Sequence, residues 1–183
     1  MAIDALSIWK TTLENLQPVG DVSWANNFAD WIDQRVTNKL IVGKKVSQST
    51  FTFNKSVFAA QLQSLSYTED ALSGITNFAN AWENAVLAST MVVPPGTYFE
   101  SSSPKTTWST VQSTVIDPAS VQIGKLVIIS LSAAPVATTA QNSLFPEKFR
   151  NAFLSLTVTI TGLDSQTPPN GPMPLVLPAA SVV

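Results

Sequence analysis

Proline placement constrains this chain more than any other feature, because five of its 12 prolines fall within the last 20 positions, 164–183. Proline lacks the amide donor and clashes with the preceding helical turn, so that segment cannot hold a helix of any length. It reads as an extended arm that follows a single domain over residues 1–163. The arm carries apolar Leu175, Val176, Leu177, Val182 and Val183, beside Pro172 and Met173. Left in water those side chains are wasted. Docked along a neighbouring subunit, a stiff segment buries them with little loss of chain entropy. These seven residues are the predicted subunit interface. A fold-back of the arm over its own domain is the alternative, and the sequence favours neither.

Before the arm, apolar residues recur at three- and four-residue spacing, the pattern of amphipathic helices. Ile3, Leu6, Trp9, Leu13 and Leu16 form one stripe, stopped by Pro18 and Gly20. Asp21 or Ser23 caps a second helix with Trp24, Phe28, Trp31, Ile32 and Val36 on one face and an end near Gly43. Val46, Phe51 and Phe53 alternate with small polar residues and predict a short strand or extended connection. Asn54 caps a helix through Phe58, Leu62 and Leu65. Behind Glu69 and Asp70, a helix of about four turns carries Ala71, Leu72, Ile75, Phe78, Ala79, Trp82, Ala85 and Val86 and is closed by Pro94-Pro95-Gly96.

Residues 97–107 read as an exposed loop and 108–116 as a helical turn. Asp117-Pro118 opens a further segment through Ala134, with Ala119, Ile123, Leu126, Val127 and Leu131 placed toward a core. The run 126–131 is rich in isoleucine and valine, so a buried strand fits there as well. A last helix begins at Pro146 and carries Phe149, Ala152, Phe153 and Leu156, after which LTVTITGL alternates as a strand does. The fold class is mainly α within α+β. It comprises a helical domain of about five amphipathic helices, a minor β component and the Pro-rich C-terminal arm.

The 183 residues include neither histidine nor cysteine. That removes Ser-His-Asp and Cys-His catalysis, zinc sites and thiol redox chemistry, and leaves carboxylates, lysines, hydroxyls and backbone amides to carry any reaction. The expectation is a protein that is not an enzyme and takes no cofactor and no metal. Charged residues make up 12% of the chain, against roughly 25% in an ordinary soluble domain. Such a surface is either covered by uncharged polar side chains or buried against other subunits, where charge is depleted. With 10 basic and 12 acidic residues the net charge is −2, which provides no field to attract nucleic acid. The opening MAIDALSIWKTTLENL lacks the basic region and apolar stretch of a secretory signal. No run reaches the roughly 20 apolar residues of a membrane span. A soluble chain without a membrane partner is expected.

Individual motifs add little chemistry. Ser102 to Lys105 has the S-x-x-K spacing of a serine nucleophile beside a lysine, but Pro104 interrupts it and no companion motif follows. Gly43-Lys44 resembles the end of a phosphate-binding loop, yet Asn38 stands in place of its first glycine and Lys45 in place of its hydroxyl residue. Arg35, Lys39, Lys44 and Lys45 form the densest positive patch, as expected near a helix C-terminus. Asp30 and Asp33 share a helix face and a possible hard cation. Trp9, Trp24, Trp31, Trp82 and Trp108 are either core anchors or a recognition surface, and four of the five lie on apolar helix faces. Asn54-Lys55-Ser56 fits a glycosylation sequon, and a helix cap explains it equally well.

The block FPEKFRNAFLSLTVTITGLDSQTPPNGPMPLVLP, together with the segment ending MVVPPGTYF, resembles small virion structural proteins of tailed bacteriophages and related phage-derived particles. The resemblance covers about the last 40 residues and positions 82–96, is compositional, and carries over no catalytic residue. It implies a virion location and a homo-oligomer that also binds other particle proteins, in capsid decoration, head-tail connection or the tail and baseplate. A host- or ligand-recognition module using exposed aromatics is the rival expectation.

Overall fold

The computed structural model describes residues 3–13, 16, 23–39, 50–65, 70–94, 98–99, 106–134, 144–164 and 174–181. These form a mainly helical fold with a smaller β component. In chain order they are α1 (Leu6–Leu13), α2 (Trp24–Val36), β1 (Thr50–Thr52), α3 (Lys55–Ser64), α4 (Ala71–Leu87), β2 (Thr90–Val92), β3 (Tyr98–Phe99) and β4 (Thr106–Ile116). There follow α5 (Pro118–Ile129), which ends in a 3-10 turn (Ser130–Ala133), then α6 (Phe145–Leu154), β5 (Thr157–Asp164) and β6 (Pro174–Ser181).

Helix starts follow local chemistry. Asn54 Oδ1 accepts the Val57 amide at 3.1 Å and so caps α3. Asp70 accepts the Ser73 amide at 2.8 Å at the head of α4. The Ser73 hydroxyl and amide, both donating to it, hold the Asp70 carboxyl below its ordinary pKa. Pro118 and Pro146 occupy first-turn positions of α5 and α6, where no amide donor is needed. The end of α2 lies at Val36 rather than near Gly43, because Asn38 takes the left-handed conformation at φ 60° and donates its amide to the Phe51 carbonyl. Asparagine tolerates that conformation better than most residues with a side chain.

Two further boundaries differ from expectation. Helix α4 stops at Leu87, so Pro94 closes a strand instead of the helix. Exposed Thr90, buried Met91, exposed Val92 and buried Val93 alternate with the period of two that sets β2 against β1. Residues 108–116, expected as a helical turn, belong to β4, and the loop expected over 97–107 begins and ends in paired strand, Tyr98↔Thr107 and Phe99↔Thr106. Seven of the 11 residues of β4 are β-branched, which favours a pleated strand over a helix.

The larger sheet runs β3-β4-β5-β6, all antiparallel, with register shifts in β4 between Trp108 and Thr110 and between Val111 and Ser113. Strand β6, drawn from the Pro-rich segment, lies at its edge, where missing amide donors are tolerated. The junction of α5 with β5 is tied by Asp117. Its carboxylate accepts Thr157 Oγ1 at 2.8 Å and Thr159 Oγ1 at 2.7 Å, while its amide donates to the Thr157 carbonyl. Asp117→Ala removes the carboxylate that accepts from both hydroxyls, and urea denaturation is expected to show a loss of about 2 kcal/mol.

The core is aromatic. Phe153 meets Trp9, Phe51, Phe53 and Trp82, and Phe28 meets Trp31, Phe58, Phe78, Phe145 and Phe149. Helix α5 faces this core with Ser120, Val121, Gly124 and Ile128. Most of the face expected to be inward is turned away, with Ala119, Ile123 and Leu126 exposed and Val127 half-buried, while Leu131 packs against the core as expected. The reason is steric. A Cβ on Gly124 would lie 2.8 Å from the Ala152 carbonyl oxygen and closer still to the Trp82 ring, so only the small-residue face lets α5 approach α4 and α6.

Candidate functional site

The orientation of α5 creates an apolar outer surface. Ile123 is 56% exposed and Leu126 64%, unusual values for large aliphatic side chains on one helix face. At the start of the same helix, exposed Leu87, Val92 and Val115 line an open groove of about 490 Å³ together with Met91, Ile116 and Pro118. The groove forms where the end of α4, β2, β4 and the start of α5 meet. Thr114 Oγ1 donates to the Met91 carbonyl and fixes β2 against β4. Among the described residues lining the groove none is charged. Lys125, on α5, is paired with Glu83 at 2.7 Å, and Gln122 donates to the same carboxylate. The surface therefore offers apolar burial and hydrogen bonding by threonine and serine, with no acid, base or nucleophile-base pair.

The predicted interface is only partly within the described residues. Leu175, Val176 and Leu177 lie in β6, in register with Gly162, Thr161 and Ile160 of β5. Pro172, Met173, Val182 and Val183 lie outside the described residues, as do Ser102, Lys105, Gly43, Lys44, Lys45 and Glu69.

The remaining candidates have structural partners. Asp30 and Asp33 share a face as expected, but it is Lys55 that they hold, at 2.7 and 3.8 Å. Lys39 pairs with Asp4 at 2.7 Å. Arg35, read from its sequence neighbours as part of a surface patch, is buried instead. Asn54 is a helix cap, and its amide group also donates to the Ala88 carbonyl. Trp9, Trp31 and Trp82 are core residues and Trp24 is half-buried against that core; Trp9 and Trp82 are out of reach of a surface ligand, while Trp31 also lines a surface depression.

No sequence signal pointed to Leu87, Val92, Val115, Ile123 and Leu126 as a surface. The one feature that could have done so is Gly124 with Ser120, a small-residue stripe opposite Ile123 and Leu126 on α5. No helix among the described residues is long and apolar enough to cross a membrane. The chain matches no family model, no curated protein and no solved structure.

Proposed function

We propose that this chain is a non-enzymatic structural subunit of a virus particle of the phage type, acting by association with copies of itself and with other particle proteins. The observation that supports it best is the uncharged groove with exposed Leu87, Val92 and Val115, together with exposed Ile123 and Leu126 on α5. Exposed apolar side chains gathered in a groove and on a helix face mark contact sites. Five side chains alone do not make the roughly 800 Å² per partner of a stable interface. The 12% charge content is what allows the contact to spread beyond them.

The test is the mass in solution by light scattering. Deleting the C-terminal segment is a poor probe, since it removes β6 and exposes the edge of β5. The double variant Ile123→Glu, Leu126→Glu changes only exposed positions. The full chain is expected to form a closed oligomer, and the double variant to fall to monomer with unchanged circular dichroism. A full chain that stays monomeric at high concentration, or an oligomer indifferent to the two glutamates, would count against this surface as the assembly contact.

A further inference from the structure

A depression of about 450 Å³ opens between α1 and α2, walled by Thr12, Leu16, Asn27, Trp31, Gln34 and Arg35. Its wall includes a cation. Arg35 is 5% exposed, lies with its guanidinium carbon 5.0 Å from the centre of the Trp31 ring, and donates from Nε to Thr12 Oγ1 at 2.9 Å and from Nη1 to the Trp31 carbonyl at 2.5 Å. An arginine has five N–H donors in a rigid fork, and these two bonds use only part of them. No carboxylate among the described residues pairs with it. Asp4, the acid whose field it feels, is taken by Lys39 at 2.7 Å. Burial holds the Arg35 pKa below its ordinary value and Asp4 opposes that shift, yet an arginine stays protonated in proteins. A charge so placed is costly unless an anion meets it.

We propose that this depression binds a small monocarboxylate, its oxygens on the unused guanidinium donors of Arg35 and its hydrocarbon part along Trp31 and Leu16. A planar fork matches a carboxylate in two parallel hydrogen bonds. The volume is within the range of small-molecule sites, about 300–1,000 Å³. The side chain of Gln34, exposed among the lining residues, makes no hydrogen bond among the described residues and supplies a further donor. Asp30 also lines the wall. Its charge is offset by Lys55 at 2.7 Å but still penalises a doubly charged group, which favours a carboxylate over phosphate.

Sodium benzoate and inorganic phosphate serve as probes, titrated at constant ionic strength into uniformly 15N-labelled full-length protein. The readouts are the Arg35 Nε–H and Trp31 Nε1–H resonances, the latter because that indole donates to Thr12 Oγ1 at 3.1 Å. Benzoate is expected to shift both along one saturating curve, with phosphate at least several-fold weaker. Arg35→Lys keeps the charge, loses the fork, and is expected to weaken benzoate about tenfold. Gln34→Ala, at an exposed position that cannot unfold the core, is expected to weaken it several-fold, and it decides the matter if Arg35→Lys misfolds. Shifts that stay linear in benzoate, phosphate binding more tightly than benzoate, or a Gln34→Ala protein with unchanged affinity would each overturn the proposal and leave Arg35 a brace between α1 and α2.

Discussion

Gly124→Ala is expected to lower the unfolding free energy by about 2 kcal/mol, although the position is in mid-helix and alanine is the better helix former. Helix propensity alone favours the substitution by about 1 kcal/mol. Against it stands the contact with the rest of the core. The added methyl would sit 2.8 Å from the Ala152 carbonyl oxygen, 3.0 Å from Ser155 Oγ, and well inside the van der Waals radius of the Trp82 ring. The ring is fully buried and packed on Phe153 at 5.5 Å, and the carbonyl is backbone in α6, so neither can give way cheaply. Overpacking of this kind costs about 1–3 kcal/mol, and three simultaneous contacts place it at the upper end. Urea denaturation checks the value. Leu126→Ala, on the opposite face of the same helix and 64% exposed, is the internal control and is expected to change stability by less than about 0.5 kcal/mol. A stabilised Gly124→Ala protein would mean that α5 does not lie against Trp82 and Ala152.

The same helix shows why part of this fold was legible in the sequence and part was not. Helices α1 to α4 and α6 each carry one aromatic or leucine stripe, and the stripe is the buried face except at the head of α4, where Ala71 and Leu72 are exposed, with caps at Asn54 and Asp70 and a first-turn proline at Pro146. Helix α5 has aliphatic residues on both sides. Val121 and Ile128 face inward, Ile123 and Leu126 outward, and hydrophobicity cannot choose between them. The choice falls to volume, since only the side with Ser120 and Gly124 lets α4 and α6 come close. Strand β4 failed for a related reason. Its apolar residues do not alternate cleanly, since the register shifts between Trp108 and Thr110 and between Val111 and Ser113, and the usable signal was its β-branched content.

Arg35 shows the opposite case, in which the signal was present and sequence proximity obscured it. It lies four residues after Trp31 and seven after Phe28, on the stripe that α2 buries, whereas Lys39 follows the end of the helix. Counting by helical period rather than by neighbouring charge places Arg35 inside. The outer apolar surface was illegible for a deeper reason. Whether Ile123 and Leu126 form a core or a contact with another subunit depends on which neighbours fill the first shell, and that is decided by tertiary packing.

Phe153→Ala is expected to produce the largest loss of stability of any single truncation in the aromatic core, about 4 kcal/mol. The side chain is fully buried and joins four rings from three parts of the chain: Trp9 at 6.5 Å, Phe51 at 6.5 Å, Phe53 at 5.6 Å and Trp82 at 5.5 Å. Truncation removes the transfer free energy of the ring and leaves a cavity whose walls are themselves large and rigid, so collapse recovers little. The loss is a large share of the roughly 5–15 kcal/mol that holds a domain folded. Phe153→Leu, which keeps most of the volume, is expected to cost about 1.5 kcal/mol. Near-ultraviolet circular dichroism adds a second readout, because Trp9 and Trp82 both contact the ring and their signals should weaken in the alanine variant before global unfolding. If alanine and leucine cost the same, packing around Phe153 is not what joins α1, α4 and β1 to α6. The outward turn of α5, fixed by Trp82 against Gly124, would then lack its support, and with it the apolar surface proposed for assembly.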